Sequence, residues 1–243
     1  MTKETYTLLE NYMLSCMTDS AHDKAHVYRV LYHALEIAKA ERAVDYDVLI
    51  AACLLHDIGR KEQFDDPSLC HAIVGGEKAY TFLEKHGFTS AFAQRVRHCI
   101  QAHRFRKSME PQTIEAKILF DADKLDVTGT VGIARTLLYQ GALSRPLYSL
   151  LADGTVSDGT GDCAPSFFQE YKFKLEKLYD RFYTQKGTQL AQSRRTAAEA
   201  YYKSLYEEIN AAYRQGTKVL GMLLDSSEKQ DSSDRQPPST VIE

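Results

Sequence analysis

The sequence predicts an all-α protein: a single-domain helical bundle with two long helices added at its C-terminal end and a disordered tail. Three observations carry this expectation. Apolar residues recur at three- and four-residue spacing in segment after segment, no segment shows the strict alternation of a half-buried strand, and glycine or proline falls where one helical pattern stops and the next begins.

Taken in order, Val27, Val30, Leu31, Ala34 and Ala38 form the apolar stripe of a helix over 23–41, with His26 one turn before Val30. A second helix starts near Asp45, carries Leu49, Ala52, Cys53 and His56 on one face, and meets a stop at Gly59. A polar connection with Asp65, Asp66 and Pro67 follows. Helices are then expected from about His71 to His86, ended by Gly87, and from about Ser90 to His103. Pro111 precedes a helix from about Thr113 to Val127, and the Gly129 and Gly132 region separates it from one over Ile133 to Tyr139. Residues 152–166 gather Gly, Asp, Ser and Thr, which reads as a long loop, either a lid or a plain surface insertion. Two long helices are expected beyond it, Phe167 to Tyr183 and Thr188 to Leu224. From Ser226 the chain loses all periodicity. Residues 1–225 are therefore read as the domain, with its core at about 22–140 and its C-terminal helices at about 166–224, and 226–243 as tail.

Composition narrows the function. Of 243 residues, 44% are apolar and 26% charged, ordinary for a globular protein. A net charge of -3, with no basic stripe interleaved with aromatics, argues against nucleic-acid binding and leaves any anionic substrate to a local site. Of the fifteen tyrosines, Tyr171, Tyr179, Tyr201, Tyr202, Tyr206 and Tyr213 recur in the C-terminal helices, where they suit packing. No stretch reaches the ~20 apolar residues of a membrane span, and Met1 to Met17, interrupted by Glu4, Glu10 and Asn11, lacks the apolar core of a signal peptide. Five cysteines, Cys16, Cys53, Cys70, Cys99 and Cys163, are widely spaced without a C-x-x-C pair, as free thiols of a reducing compartment would be. A cytoplasmic protein without membrane or nucleic-acid partners, monomer or homodimer, is the expectation.

Four residues stand out as candidate metal ligands: His26 on one helix, His56 and Asp57 closing the next, and Asp123 on a later one. A lone histidine is more often a surface or satisfied core residue, so the combination carries the case. His56-Asp57 follows the apolar run from Leu49 to Leu55, and Asp123 lies within Ile118 to Leu125, where a carboxylate is costly to bury unless a cation sits beside it. Imidazole and carboxylate suit Mn, Fe, Co, Ni or Zn, and such ions supply the Lewis acid that phosphate hydrolysis needs. Asp121 competes with Asp123. Helical periodicity does not choose, since Asp121 shares a face with Ile114 and Ile118 and Asp123 with Ala116 and Phe120.

The segments HDKAHVYRV (His22 to Val30), AACLLHDIGRK (Ala51 to Lys61) and EAKILFDADKLDVTGTVGIAR (Glu115 to Arg135) resemble the HD-domain phosphohydrolases, whose ordered H…HD…D pattern they repeat. The chain is similar to their bacterial subgroup of small stand-alone proteins that hydrolyse nucleotides or related phosphate compounds, from about His22 to Leu205. The resemblance implies His26, His56, Asp57 and Asp123 as ligands of a divalent ion, and its A-D-x-L pattern favours Asp123 over Asp121. Asp121 is then a surface residue or a partner orienting a ligand histidine. Manganese is the first expectation, with Mg, Fe, Co, Ni and Zn as alternatives.

Some members hold a second ion with two further histidines, sharing the aspartate of the HD pair. His71 and His103 are the candidates here. A single ion, with these two facing the substrate phosphate, is the favoured reading; the bland alternative is a first-turn surface histidine and a cation at a helix C-terminus. Arg60, Lys61 and Arg104 are expected to contact phosphate, with Arg106 and Lys107 following and Arg135 either a phosphate contact or a structural ion-pair partner. Asp57, Lys61, His71 and His103 form the expected catalytic set. Lys124 and Asp126 pair with neighbours or close the site. The expected activity is hydrolysis of nucleotides or related esters and anhydrides by metal-activated water, with nucleoside triphosphates giving monophosphate and pyrophosphate. Monophosphatase, cyclic-nucleotide phosphodiesterase and a non-catalytic binding module are the rivals.

Overall fold

The computed structural model describes residues 1–17, 24–104, 109–162 and 164–233, with side chains to 225 in the last stretch. His22, Arg106, Lys107 and Cys163 lie outside the described residues. The protein is all-α: the described residues contain no strand, only one isolated bridge between Leu150 and Val156. No helix among them is long and apolar enough to cross a membrane.

Helix α1 spans Lys3–Cys16, α2 Lys24–Ala38, α3 Tyr46–Leu55, α4 Arg60–Asp65, α5 His71–Lys85, α6 Ser90–Ala102, α7 Ile114–Leu125 and α8 Gly129–Ala142. At the centre is α3, on which Val48, Leu49 and every residue from Ala51 to Leu55 are buried. A helix apolar all round has to be covered on all sides, and α1, α2, α5, α6 and α7 pack around it. Its start is fixed by Asp45, whose carboxylate accepts from the backbone N–H of Asp47 at 3.1 Å and Val48 at 3.2 Å. Thr89 and Thr113 cap α6 and α7 in the same way. Gly87 ends α5 at φ +82°, a conformation that favours glycine.

Two helices were not legible in the sequence. α1 buries only Leu9 and Met13, and α4, six residues long with none buried, offers no apolar periodicity, so it reads as part of a polar connection. α8 begins at Gly129, a full turn ahead of the apolar stripe.

The C-terminal region corrects a larger expectation. Instead of one long helix, Phe167–Phe173 forms α9 and Leu175–Asp180 a 3-10 helix, with Lys174 between them at φ -127°. Phe167, Phe168, Tyr171, Leu175, Leu178 and Tyr179 are all buried. Their spacing is kept through the break, which is why the sequence does not reveal it. The break brings the Tyr179 hydroxyl to accept from the Gly129 N–H at 3.1 Å. α10 then runs Gln185–Ser233, extending into the segment expected to be a disordered tail. Extending a formed helix costs less than nucleating one, so a stretch without periodicity can still follow it. The 152–166 loop is tied down rather than free: Val156 and Ser157 are buried, and the Tyr202 hydroxyl donates to the Asp158 carbonyl.

Candidate metal centre

The predicted ligands come from three adjacent helix ends. His26 sits in the first turn of α2, Asp123 in the last turn of α7, and His56-Asp57 in the turn that leaves α3, so the packing of α2 and α7 on α3 brings all four together. His26 Nε2 lies 3.3 Å from Asp123 Oδ1, 3.6 Å from Asp57 Oδ2 and 3.4 Å from His56 Nε2. The last of these is 3.6 Å from Asp57 Oδ2 and 4.0 Å from Asp123 Oδ1.

A second trio adjoins the first. Asp57 turns Oδ1 toward His71 Nε2 at 3.6 Å and His103 Nε2 at 3.8 Å, and those two nitrogens are 3.3 Å apart. One carboxylate thus presents one oxygen to each pair of imidazoles. Both trios are sets whose donor atoms could hold an ion, His26 with His56 and Asp123, and Asp57 with His71 and His103.

The orientation of the rings decides what they can do. Each Nδ1 donates away from the cluster: His56 to the Cys53 carbonyl at 2.7 Å, His103 to the Ile100 carbonyl, His71 to Gln63 Oε1 at 2.6 Å, and His26 to Asp126 Oδ2 at 2.7 Å. A carbonyl or carboxylate only accepts, so the proton stays on Nδ1 and the Nε2 lone pair of every ring points inward. Four buried imidazole lone pairs and the oxygens of two carboxylates, Asp57 buried and Asp123 partly open to solvent, then face one another. Lone pairs opposed at 3.3–3.4 Å repel unless a cation or a proton lies between them. This donor set fits divalent transition ions of intermediate softness.

Electrostatics agree with the geometry. Burial opposes charge on Asp57, yet Arg60, His56 and His26 hold it well below the usual carboxylate range. Burial likewise works against Asp123, but His26, His103 and His56 keep it ionised. Burial pushes His71 down to about 2, with Arg60 adding to the effect, and burial with His56 brings His103 to about 4, so both rings are neutral. His26 behaves oppositely. Burial would lower it, but Asp123, Asp126 and Asp57 outweigh that and raise it to about 10, so a proton competes with an ion for this ring.

Asp121 has another task. It is fully buried and accepts from the Tyr183 N–H at 2.8 Å, the Thr184 N–H at 2.7 Å and the Thr184 hydroxyl at 2.6 Å. It therefore anchors the start of α10 and stands apart from the imidazoles. Of the expected phosphate contacts, Arg60 is at the cluster, its Nε 2.9 Å from Asp57 Oδ1. Arg104 follows His103 and reaches Cys70 Sγ at 3.8 Å. Lys61 is not brought to the cluster: its ammonium is half-exposed and pairs with Asp65 across one turn of α4. A short helix, where the sequence suggests a loop, turns it outward.

Two groups escaped sequence reasoning. Asp126, whose role the sequence leaves open, holds His26 Nδ1 and is itself gripped by Arg29 at 2.7 Å and Arg135 at 2.6 Å. Gln63 fixes the His71 ring. Only the first had a signal, a buried acid three residues after a ligand.

The turn after the HD pair depends on Gly59. A Cβ there would lie 2.4 Å from the His71 carbonyl oxygen and 2.6 Å from the Gly75 nitrogen, so the backbones of α5 and this turn must separate. Gly59→Ala is expected to lower the melting temperature by about 5 °C, from an overpacking cost of about 1–3 kcal/mol, in a calorimetric scan. An unchanged melting temperature would show that α5 yields without strain.

Comparisons with known proteins identify the family and the fold. The HD domain family matches residues 24–128. YpgQ of Bacillus subtilis is 31% identical over 207 residues, covering 83% of this chain and 92% of YpgQ. A crystal structure of YpgQ in complex with ADP superposes with a TM-score of 0.65 at 29% identity, covering 84% of this chain and 97% of that one. An HD-superfamily hydrolase from Bacillus thuringiensis does so with a TM-score of 0.62 at 26% identity, covering 86% and 96%.

Proposed function

Because this chain belongs to the HD-domain family, we propose that it is a metal-dependent phosphohydrolase acting on nucleotides, cleaving a phosphoanhydride of a nucleoside triphosphate to give monophosphate and pyrophosphate. The observation that carries this reading is the convergence of four inward Nε2 atoms on the two oxygens of Asp57. His26, His56, Asp57 and Asp123 hold one divalent ion, manganese being the first to test, and Asp57, His71 and His103 hold a second. The opposed lone pairs of His71 and His103 favour that second position over the single ion expected from the sequence. Ions bound there supply positive charge for phosphoryl oxygens and acidify water.

The chain's own residues contribute the rest. Asp57 spans both positions and, ionised by Arg60 and its histidines, carries negative charge where ligands need it. Arg60, about 30% exposed, keeps a guanidinium at the edge of the cluster, where it meets an anionic substrate. Burial of the four rings excludes bulk water and strengthens every charge interaction inside. The ADP bound by YpgQ supports a nucleotide as the substrate class.

Incubating the manganese-loaded protein with nucleoside mono-, di- and triphosphates, and identifying the products, tests this directly. Pyrophosphate from triphosphates alone is expected. Phosphate from monophosphates would transfer the activity to a monophosphatase, and no release from any nucleotide would end the nucleotide reading.

A further inference from the structure

The four imidazoles are oriented by unlike partners. His56 and His103 each give their Nδ1–H to a backbone carbonyl three residues earlier, Cys53 and Ile100, so their orientation comes with the helix that carries them. His26 and His71 depend on side chains from elsewhere: His26 on the Asp126 carboxylate at 2.7 Å, His71 on the Gln63 amide at 2.6 Å. The first of these partners is charged and the second neutral. A carboxylate acceptor makes a ligand imidazole more basic than an amide does.

Gln63 can act in one sense only. Its Nε2 donates to the Leu69 carbonyl at 3.0 Å, which turns Oε1 toward His71 Nδ1. A reversed amide would set its oxygen against the Leu69 carbonyl and an N–H against His71 Nδ1, moving the ring proton to Nε2, where the lone pair faces the cluster. The Leu69 contact therefore fixes the tautomer of a ring it never touches. Gln63 stands on α4 one turn after Arg60, and both side chains reach the same half of the metal centre. Arg60 Nε is 2.9 Å from Asp57 Oδ1, the oxygen that faces His71 and His103. α4 has no buried residue of its own and is tied to α5 by Lys78, which donates to the Ile58 carbonyl at 2.8 Å and to Glu62.

We infer that Gln63 is a positioning residue that sets the affinity of the second ion position, through the tautomer and orientation of His71, and leaves the first position unaffected. This rests on the two-ion reading proposed above. The two positions are unequal. His26 and His56 are joined by oxygens of both Asp57 and Asp123, whereas His71 and His103 have one Asp57 oxygen, which a guanidinium also holds. Ions fill the positions in that order, and the weaker one is governed from α4.

The test is calorimetric titration of manganese into the metal-free full chain, as wild type, Gln63→Leu and Gln63→Glu. Leucine removes the acceptor and glutamate keeps one. Wild type is expected to take two ions of different affinity. In Gln63→Leu the second ion binds about tenfold more weakly with the first unchanged, and that unchanged first ion also reports a folded domain. In Gln63→Glu the second ion binds at least as tightly as in wild type. An unchanged second ion in Gln63→Leu, equal weakening of both ions, or a glutamate variant as impaired as the leucine one would each overturn the assignment. A single ion in wild type removes the two-ion reading and this inference together; two ions in wild type with Gln63→Leu indifferent removes the inference alone.

Discussion

Asp123→Ala is expected to cut metal-dependent phosphate release by about a thousandfold, while Asp121→Ala, two residues away, keeps its metal and loses stability instead. The first loss corresponds to about 4 kcal/mol of charge stabilisation, the order supplied by a correctly held divalent ion. Asp123 Oδ1 is 3.3 Å from His26 Nε2 and is the carboxylate that completes the trio with His56. Without it two imidazoles and one oxygen of Asp57 remain, and ion affinity falls with activity. Asp121 instead accepts three hydrogen bonds at the start of α10, where a charged acceptor is worth about 1.5–3 kcal/mol per bond and truncation leaves buried donors unpaired. A melting temperature lower by about 6–12 °C is expected from a cost of about 3 kcal/mol. Metal content by elemental analysis and calorimetric unfolding on both variants separate the two roles. Loss of metal from the Asp121 variant with metal retained in the Asp123 variant would reverse the assignment.

The second large effect concerns Asp57. If its two oxygens serve two positions, the near-isosteric Asp57→Asn should lose both ions, whereas His103→Ala should lose one. Wild type then carries two manganese ions per chain, the His103 variant one and the Asp57 variant close to none, as counted by elemental analysis after dialysis. The asymmetry follows from geometry: Asp57 approaches all four imidazoles at 3.6–3.8 Å, and His103 only one end of the cluster. Activity should fall by at least about a thousandfold in Asp57→Asn, since the amide has no charge to offer either ion. One ion per wild-type chain, with the His103 variant unchanged, would restore the single-ion reading in which His71 and His103 face the substrate.

Much of this site is legible in the amino-acid sequence. The HD pair is marked by a carboxylate placed at the end of a fully apolar run, and α3 is the central buried helix that such a run requires. His26 stands out beside an apolar stripe, one turn before Val30. Helix ends at Asp45, Gly87, Thr89 and Thr113 follow from capping chemistry that acts within four residues. Short-range rules fail where no apolar pattern exists, as in α4, or where a regular pattern conceals a break, as at Lys174. The misplacement of Lys61 follows from the first of these: α4 fixes the side each residue takes, turning Arg60 to Asp57 and Lys61 outward to Asp65.

The amino-acid sequence alone therefore determined the helical class, the order of the main helices and the residue types able to bind an ion, because spacing, capping and the cost of burying charge are local properties. Which of two nearby aspartates faces the histidines, which ring nitrogen carries the proton, and that Asp57 offers an oxygen to each pair were decided by tertiary structure. These depend on contacts between residues far apart in the chain, such as His26 with Asp126, or Asp121 with the start of α10. Helical periodicity gives the face of a residue but not the neighbour that the face meets.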